Sequence, residues 1–294
     1  MSPLVERVPT SDSLSLAADV YRLDDPRAVV LLLHGGGQNR HAWQATARRL
    51  HARGYAVIAY DARGHGDSDW DPTGRYDLEG LTSDLLAVRA YMSSEHPVAV
   101  IGASLGGLTI LGTHLLAPPE LWDAVILVDI TPRMELHGAR RVVAFMAAHP
   151  DGFNTIDEAA EVIAAYNPHR RPPENLDGLH KVLRQREDQR WVWRWDPAFV
   201  TSNLQFLQGD PDTGTEVFDA IGDLLAAGAR RVSAPTLLVR GLLSDVVSQE
   251  TVDDFIELVP HAQTADITGA GHMIAGDDND AFSTAVADFL ERTV

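Results

Sequence analysis

The sequence predicts an α/β fold: a mostly parallel central sheet, covered by helices on both faces and interrupted once by a helical insertion. Three observations predict it. Short runs rich in Val, Ile and Leu alternate with segments of helical periodicity up to residue 130. The runs are apolar on both faces, as strands buried between two helical layers must be. The alternation lapses from residue 131 to about residue 210 and then resumes.

Taken in order, 4–8 and 14–21 read as an edge hairpin and 28–33 as the first buried strand. Trp43, Ala47 and Leu50 at i, i+4, i+7 mark a helix that Gly54 ends. Strands follow at 55–61, 97–101 and 124–130, with a helix over 81–91 and another after Ser104. Strand–helix alternation of this kind implies right-handed crossovers. Within the insertion, Thr155-Ile-Asp-Glu158 has capping-box spacing, and Asn167-Pro168 should end the helix it starts. Leu176, Leu179 and Leu183 predict a further helix, and alternating Trp191, Trp193 and Trp195 an extended piece with the indoles on one side. Helix 216–227, strand 236–239, helix 249–258, strand 263–267 and a last helix carrying Phe282, Val286, Phe289 and Leu290 complete the pattern. Residues 1–131 and 211–294 are therefore expected to form the core and 132–210 a helical cap.

Composition excludes much. The 294 residues suffice for a large core, and 45% hydrophobic with 22% charged residues is an ordinary globular balance. A net charge of −18 makes nucleic acid and anionic membrane surfaces poor partners. The absence of cysteine removes disulfides, zinc–thiolate sites and cysteine nucleophiles together. No charged-then-apolar leader and no membrane-length apolar run are visible, so a cytoplasmic protein is expected.

The chemistry concentrates at three motifs. Gly102-Ala-Ser104-Leu-Gly106-Gly107 directly follows the predicted strand 97–101. A serine made to project from a sharp strand-to-helix turn crowds the positions two before and two after it, and both are glycine. His34-Gly35-Gly36-Gly37 ends the first parallel strand, where unobstructed amides could stabilise an oxyanion. Gly36 N–H and Leu105 N–H are the donors expected; His34 is read as structural. Third, Asp61-Ala-Arg-Gly-His-Gly-Asp-Ser68 follows the strand 55–61.

Together these motifs resemble the α/β-hydrolase fold superfamily, in its serine-nucleophile branch with a helical cap. The resemblance implies an acid after a late strand and a histidine near the C-terminus, in the order Ser, Asp, His. Asp245, in Gly241-Leu-Leu-Ser-Asp245, and His272, in Gly269-Ala-Gly271-His272, occupy those places. Asp129, at the end of strand 124–130, is the rival acid, because some family members place it there. The expected roles are Ser104 as nucleophile, His272 as base and Asp245 as its orienter. The segment after Gly271 also resembles the epoxide hydrolase and haloalkane dehalogenase branch, but that branch attacks with aspartate. Ser104 disfavours an alkyl-enzyme.

Several weaker patterns have plainer explanations. His65, Asp67 and Asp69 could be drawn as a metal cluster, yet a loop over the site's rim accounts for them. Asp277, Asp278 and Asp280 are better explained by helix capping than by calcium, and no metal or cofactor is expected. Trp70 and Met273, beside the catalytic loops, and Tyr166 and Trp193 in the cap are the candidate substrate contacts. Trp191, Trp195, Phe199 and Phe145 could line the same cavity, although a Trp stripe also suits cap core. His169, Arg170 and Arg171 could attract an anionic group, or form a solvated patch. The expected activity is hydrolysis of a small or medium apolar carboxylic ester, lactone or thioester through an acyl-enzyme. A cofactor-free perhydrolase, a C–C bond hydrolase and a non-catalytic ligand-binding scaffold are the alternatives. Gly36-Gly37-Gln38 lacks the proline usual in perhydrolases. A small-molecule substrate is the partner expected, and a homo-oligomer is left open.

Overall fold

The computed structural model describes residues 2–92, 95–168, 175–201, 211–274 and 280–294. The strands are β1 (Leu4–Pro9), β2 (Ser15–Tyr21), β3 (Val29–Leu33), β4 (Ala56–Tyr60), β5 (Val98–Ala103), β6 (Ala124–Val128), β7 (Leu183–Gln185), β8 (Trp191–Trp193), β9 (Thr236–Gly241) and β10 (Gln263–Ile267). Eight of them form one sheet in the order β1-β2-β4-β3-β5-β6-β9-β10. The β1–β2 and β2–β4 pairs are antiparallel and the rest parallel. The expected edge hairpin is present. Side chains of β3 alternate between two cores: Val29, Leu31 and Leu33 pack into one face of the sheet, Val30 and Leu32 into the other. That division is why its run is apolar at every position.

The helices are α1 (Gln44–Ala52), α2 (Leu78–Tyr91), α3 (Leu105–Leu116), α4 (Leu136–Ala147), α5 (Ile156–Tyr166), α6 (Pro211–Ala229), α7 (Gln249–Leu258) and α8 (Asp280–Thr293). Helix α2 starts at Leu78, ahead of the expected 81, because Asp77 caps it by accepting from Gly80 N–H at 2.7 Å. Among the described residues no helix is long and apolar enough to cross a membrane.

Helices α4 and α5 and the β7–β8 hairpin lie between β6 and α6 in the chain and share a cluster around Phe153, Trp193 and Trp195 that Tyr76 and Leu105 of the sheet domain join. The helix expected over 176–183 is instead a short 3-10 turn (Asp177–Lys181) followed by β7. Leu183 pairs with Trp193 across β7–β8, so a tertiary strand partner overrides a weak helical period. Thr155 does cap α5, accepting from Glu158 N–H at 3.1 Å.

Contacts on two sides fasten this segment to the sheet domain. On one side Gly66 N–H donates to the Arg194 carbonyl and Asp196 N–H to the Gly64 carbonyl, both at 2.7 Å. On the other, Glu135 N–H donates to the Val246 carbonyl at 2.9 Å, and Arg141 on α4 pairs with Asp245.

Candidate active site

The sheet order decides which loops meet. β5 lies between β3 and β6, with Leu33 beside Gly102 and Ala103 beside Val128 in the ladders. All three strands run parallel, so their carboxyl ends deliver residues 34–37, 104 and 129 to one crevice. Ser104 sits at the turn from β5 to α3 with φ 47° and ψ −114°, a conformation that L-residues avoid. Its neighbours permit this only as glycine. A Cβ at Gly102 would lie 2.4 Å from the Gly106 carbonyl carbon, and one at Gly106 2.5 Å from the Leu33 oxygen.

The serine hydroxyl donates to His272 Nε2 at 3.0 Å, and His272 Nδ1–H donates to Asp129 Oδ2 at 2.7 Å. Asp129 is fully buried and takes a positive φ of 51°, which turns it off the end of β6. Its carboxylate accepts two further hydrogen bonds: Gly241 N–H on Oδ1 at 2.9 Å, and the Ser244 hydroxyl beside His272 on Oδ2 at 2.5 Å.

Facing the serine is the loop after β3. Gly35 N–H donates to Gln38 Oε1 at 2.9 Å and Gly37 N–H to His65 Nε2 at 3.1 Å. Neither the Gly36 amide nor the Leu105 amide, at the first turn of α3, has a protein acceptor among the described residues. Two free donors near a strained, imidazole-bonded serine make an arrangement fit for nucleophilic acyl chemistry.

Comparison with known proteins agrees with the fold. A family model described as serine aminopeptidase, S33, matches residues 24–279. The chain belongs to that family, within the α/β-hydrolase superfamily. Esterase Rv0045c of Mycobacterium tuberculosis is 29% identical over 98% of this chain and 90% of its own. A solved structure of that esterase superposes with a TM-score of 0.74 at 27% identity, covering 99% and 93% of the two chains. An α/β hydrolase from Novosphingobium aromaticivorans superposes with a TM-score of 0.79 at 25% identity, covering 99% of both chains.

In this S33-family hydrolase the expected acid is corrected. Asp245 does not bond His272; its two oxygens face Arg141, with Arg141 Nη2 3.0 Å from Oδ1 and Nε in contact with Oδ2. Burial alone would raise the Asp245 pKa, but the Arg141 hydrogen bond and charge outweigh it and hold the carboxyl below its usual range. The preceding residue, Ser244, faces Asp129 instead, and its oxygen also accepts from the amides of Val246 and Val247 at 3.1 and 3.3 Å. The turn after β9 thus contributes a hydroxyl where a carboxylate was expected. Nothing in the spacing distinguishes the two, since both acids follow strands that point to the same crevice.

The candidate substrate contacts separate. Met273 lies against the glycine loop, its sulfur 3.7 Å from Gln38 Nε2. Trp70 is 39% exposed and packs under Arg184 of β7. Tyr166 stacks on Phe145 at 4.1 Å and under Arg141 at 4.5 Å, and Trp193 stacks on Trp195 at 4.6 Å. The side chains that press closest on the loop are others: a Cβ at Gly36 would meet Met146 at 3.5 Å and Phe199 at 3.9 Å, and one at Gly37 would meet Trp195 at 3.3 Å. Sequence reasoning missed Met146, although it shares the apolar face of α4 with Phe145 and Val142. It also missed Ser244 and Gln38, polar residues without periodicity to mark them.

His65, Asp67 and Asp69 are engaged separately: His65 with the glycine loop, Asp67 with Arg40 and Arg194, Asp69 with Arg7. Asp280 pairs with Arg49 at 2.8 Å. His169, Arg170, Arg171, Asp277 and Asp278 lie outside the described residues.

Proposed function

We propose that this protein is a serine hydrolase of small or medium apolar carboxylic esters, with Ser104 as nucleophile, His272 as general base and Asp129 as the acid. The observation that carries this reading is the unbroken relay from Ser104 Oγ through both His272 nitrogens to a buried, triply bonded Asp129. Attack by Ser104 on the acyl carbon passes the hydroxyl proton to Nε2. Asp129 stabilises the imidazolium and keeps Nδ1 protonated throughout. The charge on the carbonyl oxygen is received by the Gly36 and Leu105 amides, at a helix N-terminus that favours it. Nε2–H then protonates the leaving alcohol, and water repeats the sequence to release the acid. The nucleophile, the base, the acid and the two amide donors of these steps all belong to the chain.

Segment 132–210 serves as the cap over this centre. Met146, Phe199 and Trp195 give it an apolar underside, which suits an apolar acyl or alcohol group. The name of the M. tuberculosis relative supports esters as the substrate class.

A fluorophosphonate probe should label the wild type and leave Ser104→Ala unlabelled. p-Nitrophenyl esters from acetate to dodecanoate should then be turned over, best at short or medium length. Labelling without turnover of any ester, but with cleavage of aminoacyl p-nitroanilides, would replace the ester assignment with a peptidase one. No labelling at all would leave a ligand-binding scaffold.

A further inference from the structure

An oxyanion donor must be held to within about 0.5 Å of its productive place. Three successive glycines are poorly suited to that, because they have no side chains to fix their peptide planes and the widest backbone freedom of any residue. The loop's order therefore has to come from outside it.

Two side chains hold its amides, one on each side of Gly36. Gln38 takes the Gly35 amide on its Oε1 at 2.9 Å, while its own backbone N–H closes a turn onto the Gly35 carbonyl at 3.0 Å. His65 takes the Gly37 amide on Nε2 at 3.1 Å. His34 adds an Nδ1–H bond to the Gly35 carbonyl at 2.8 Å, with its Nε2 accepting from Ala62 N–H at 2.9 Å. Of the three glycine amides, the middle one is left without a protein acceptor among the described residues.

We infer that His65 and Gln38 are positioning residues of this hydrolase: by occupying the Gly37 and Gly35 amides they fix the loop so that Gly36 N–H is the one offered to the substrate oxyanion. This rests on the ester-hydrolase reading of Ser104 and deepens it.

The chemistry of His65 fits an acceptor. Its Nδ1 lies 3.1 Å from the Arg63 carbonyl, which can only accept, so the proton sits on Nδ1 and the lone pair on Nε2 faces Gly37. The ring is fully buried, and burial, with His34 beside it, pushes its pKa down to about 3, which keeps it neutral. Phe199 packs edge-on to the ring at 4.7 Å, and the His65 backbone bridges to Trp195. Gln38 reaches the other way, through Nε2 to the Met273 sulfur next to His272. The donor loop is therefore braced between the cap and the loop that carries the base.

The test uses His65→Leu, His65→Gln and Gln38→Leu, each measured for kcat and KM on the best p-nitrophenyl ester, for the rate constant of fluorophosphonate labelling, and for Tm. Gln places an acceptor near the Nε2 position and Leu does not. His65→Leu should lower kcat about 10-fold to 100-fold with KM within about threefold, and Gln38→Leu about 10-fold. His65→Gln should recover to within about fivefold of wild type. Labelling should slow by the same factors, because phosphonylation builds charge on the same oxygen. Wild-type kcat and labelling in His65→Leu, or equal losses in the Leu and Gln variants, would overturn the inference while leaving the hydrolase reading intact. If His65→Leu does not fold, an unchanged kcat in Gln38→Leu overturns it. A wild type that the probe does not label would remove the nucleophile assignment, and this inference with it.

Discussion

Asp129 and Asp245 are two carboxylates of the same crevice in opposite circumstances. Asp129 has no exposed surface and spends its oxygens on an amide, a hydroxyl and an imidazole. Asp245 spends both oxygens on a guanidinium at the surface. Asp129→Asn should therefore lower kcat by about 10³-fold to 10⁴-fold, because an amide can present its own N–H to Nδ1 and stabilise the wrong tautomer. Asp245→Asn should leave kcat within about threefold. Steady-state kinetics on one chromogenic ester decides between them, and the reverse ranking would return the acid to position 245.

At the scale of elements, α4 lies close against the sheet domain. A Cβ at Gly138 would lie 2.1 Å from the Asp245 backbone oxygen and 2.6 Å from its carbonyl carbon, so the helix and the turn after β9 touch backbone to backbone. Gly138→Ala must push them apart and strain the Arg141–Asp245 pair beside them. The expected outcome is a folded protein with lower Tm, cut by protease within 132–210 sooner than wild type, and with KM raised more than kcat is lowered. Unchanged proteolysis and KM would show that the cap does not depend on this contact. The capping residues Asp77 and Thr155 and the glycines at the elbow are local necessities and could be read from neighbouring positions. Of the β7–β8 hairpin only β8 could, as the alternating Trp191, Trp193 and Trp195; β7 is three residues long and is a strand because it pairs with β8.

The molecule as a whole carries an acid liability in its interior. His34 is 2% exposed and His65 not at all, and burial lowers their pKa values to about 4 and about 3. An unfolded histidine titrates near 6.5, so below that pH the unfolded chain takes up protons that the fold refuses. The stability that this pair permits is complete above about pH 6.5 and falls as pH drops toward 4. At pH 5 the loss is about 2 kcal/mol for each histidine. Urea unfolding at pH 7 and pH 5 measures it. His65→Gln should lose about 2 kcal/mol less than wild type across that interval, and identical losses in the two proteins would refute the assignment to His65.

What the sequence by itself determined is what depends on contacts between near neighbours in the chain. Strand burial, helix caps and the glycines two residues either side of Ser104 answer local steric demands, so the parallel sheet, the tight turn at Ser104 and the glycine loop after β3 were all legible. So was His272, since only one histidine follows the last parallel strand within a glycine turn. Only the tertiary structure decided which acid meets that histidine, which side chains hold the glycine amides and which apolar side chains press on them. These choices depend on where a loop end lies to within an ångström or two, and sheet order and register set that from strands more than a hundred residues apart. Asp129 and Asp245 offer the same carboxylate to the same crevice, and the packing of α4 against the turn after β9 turns one of them away.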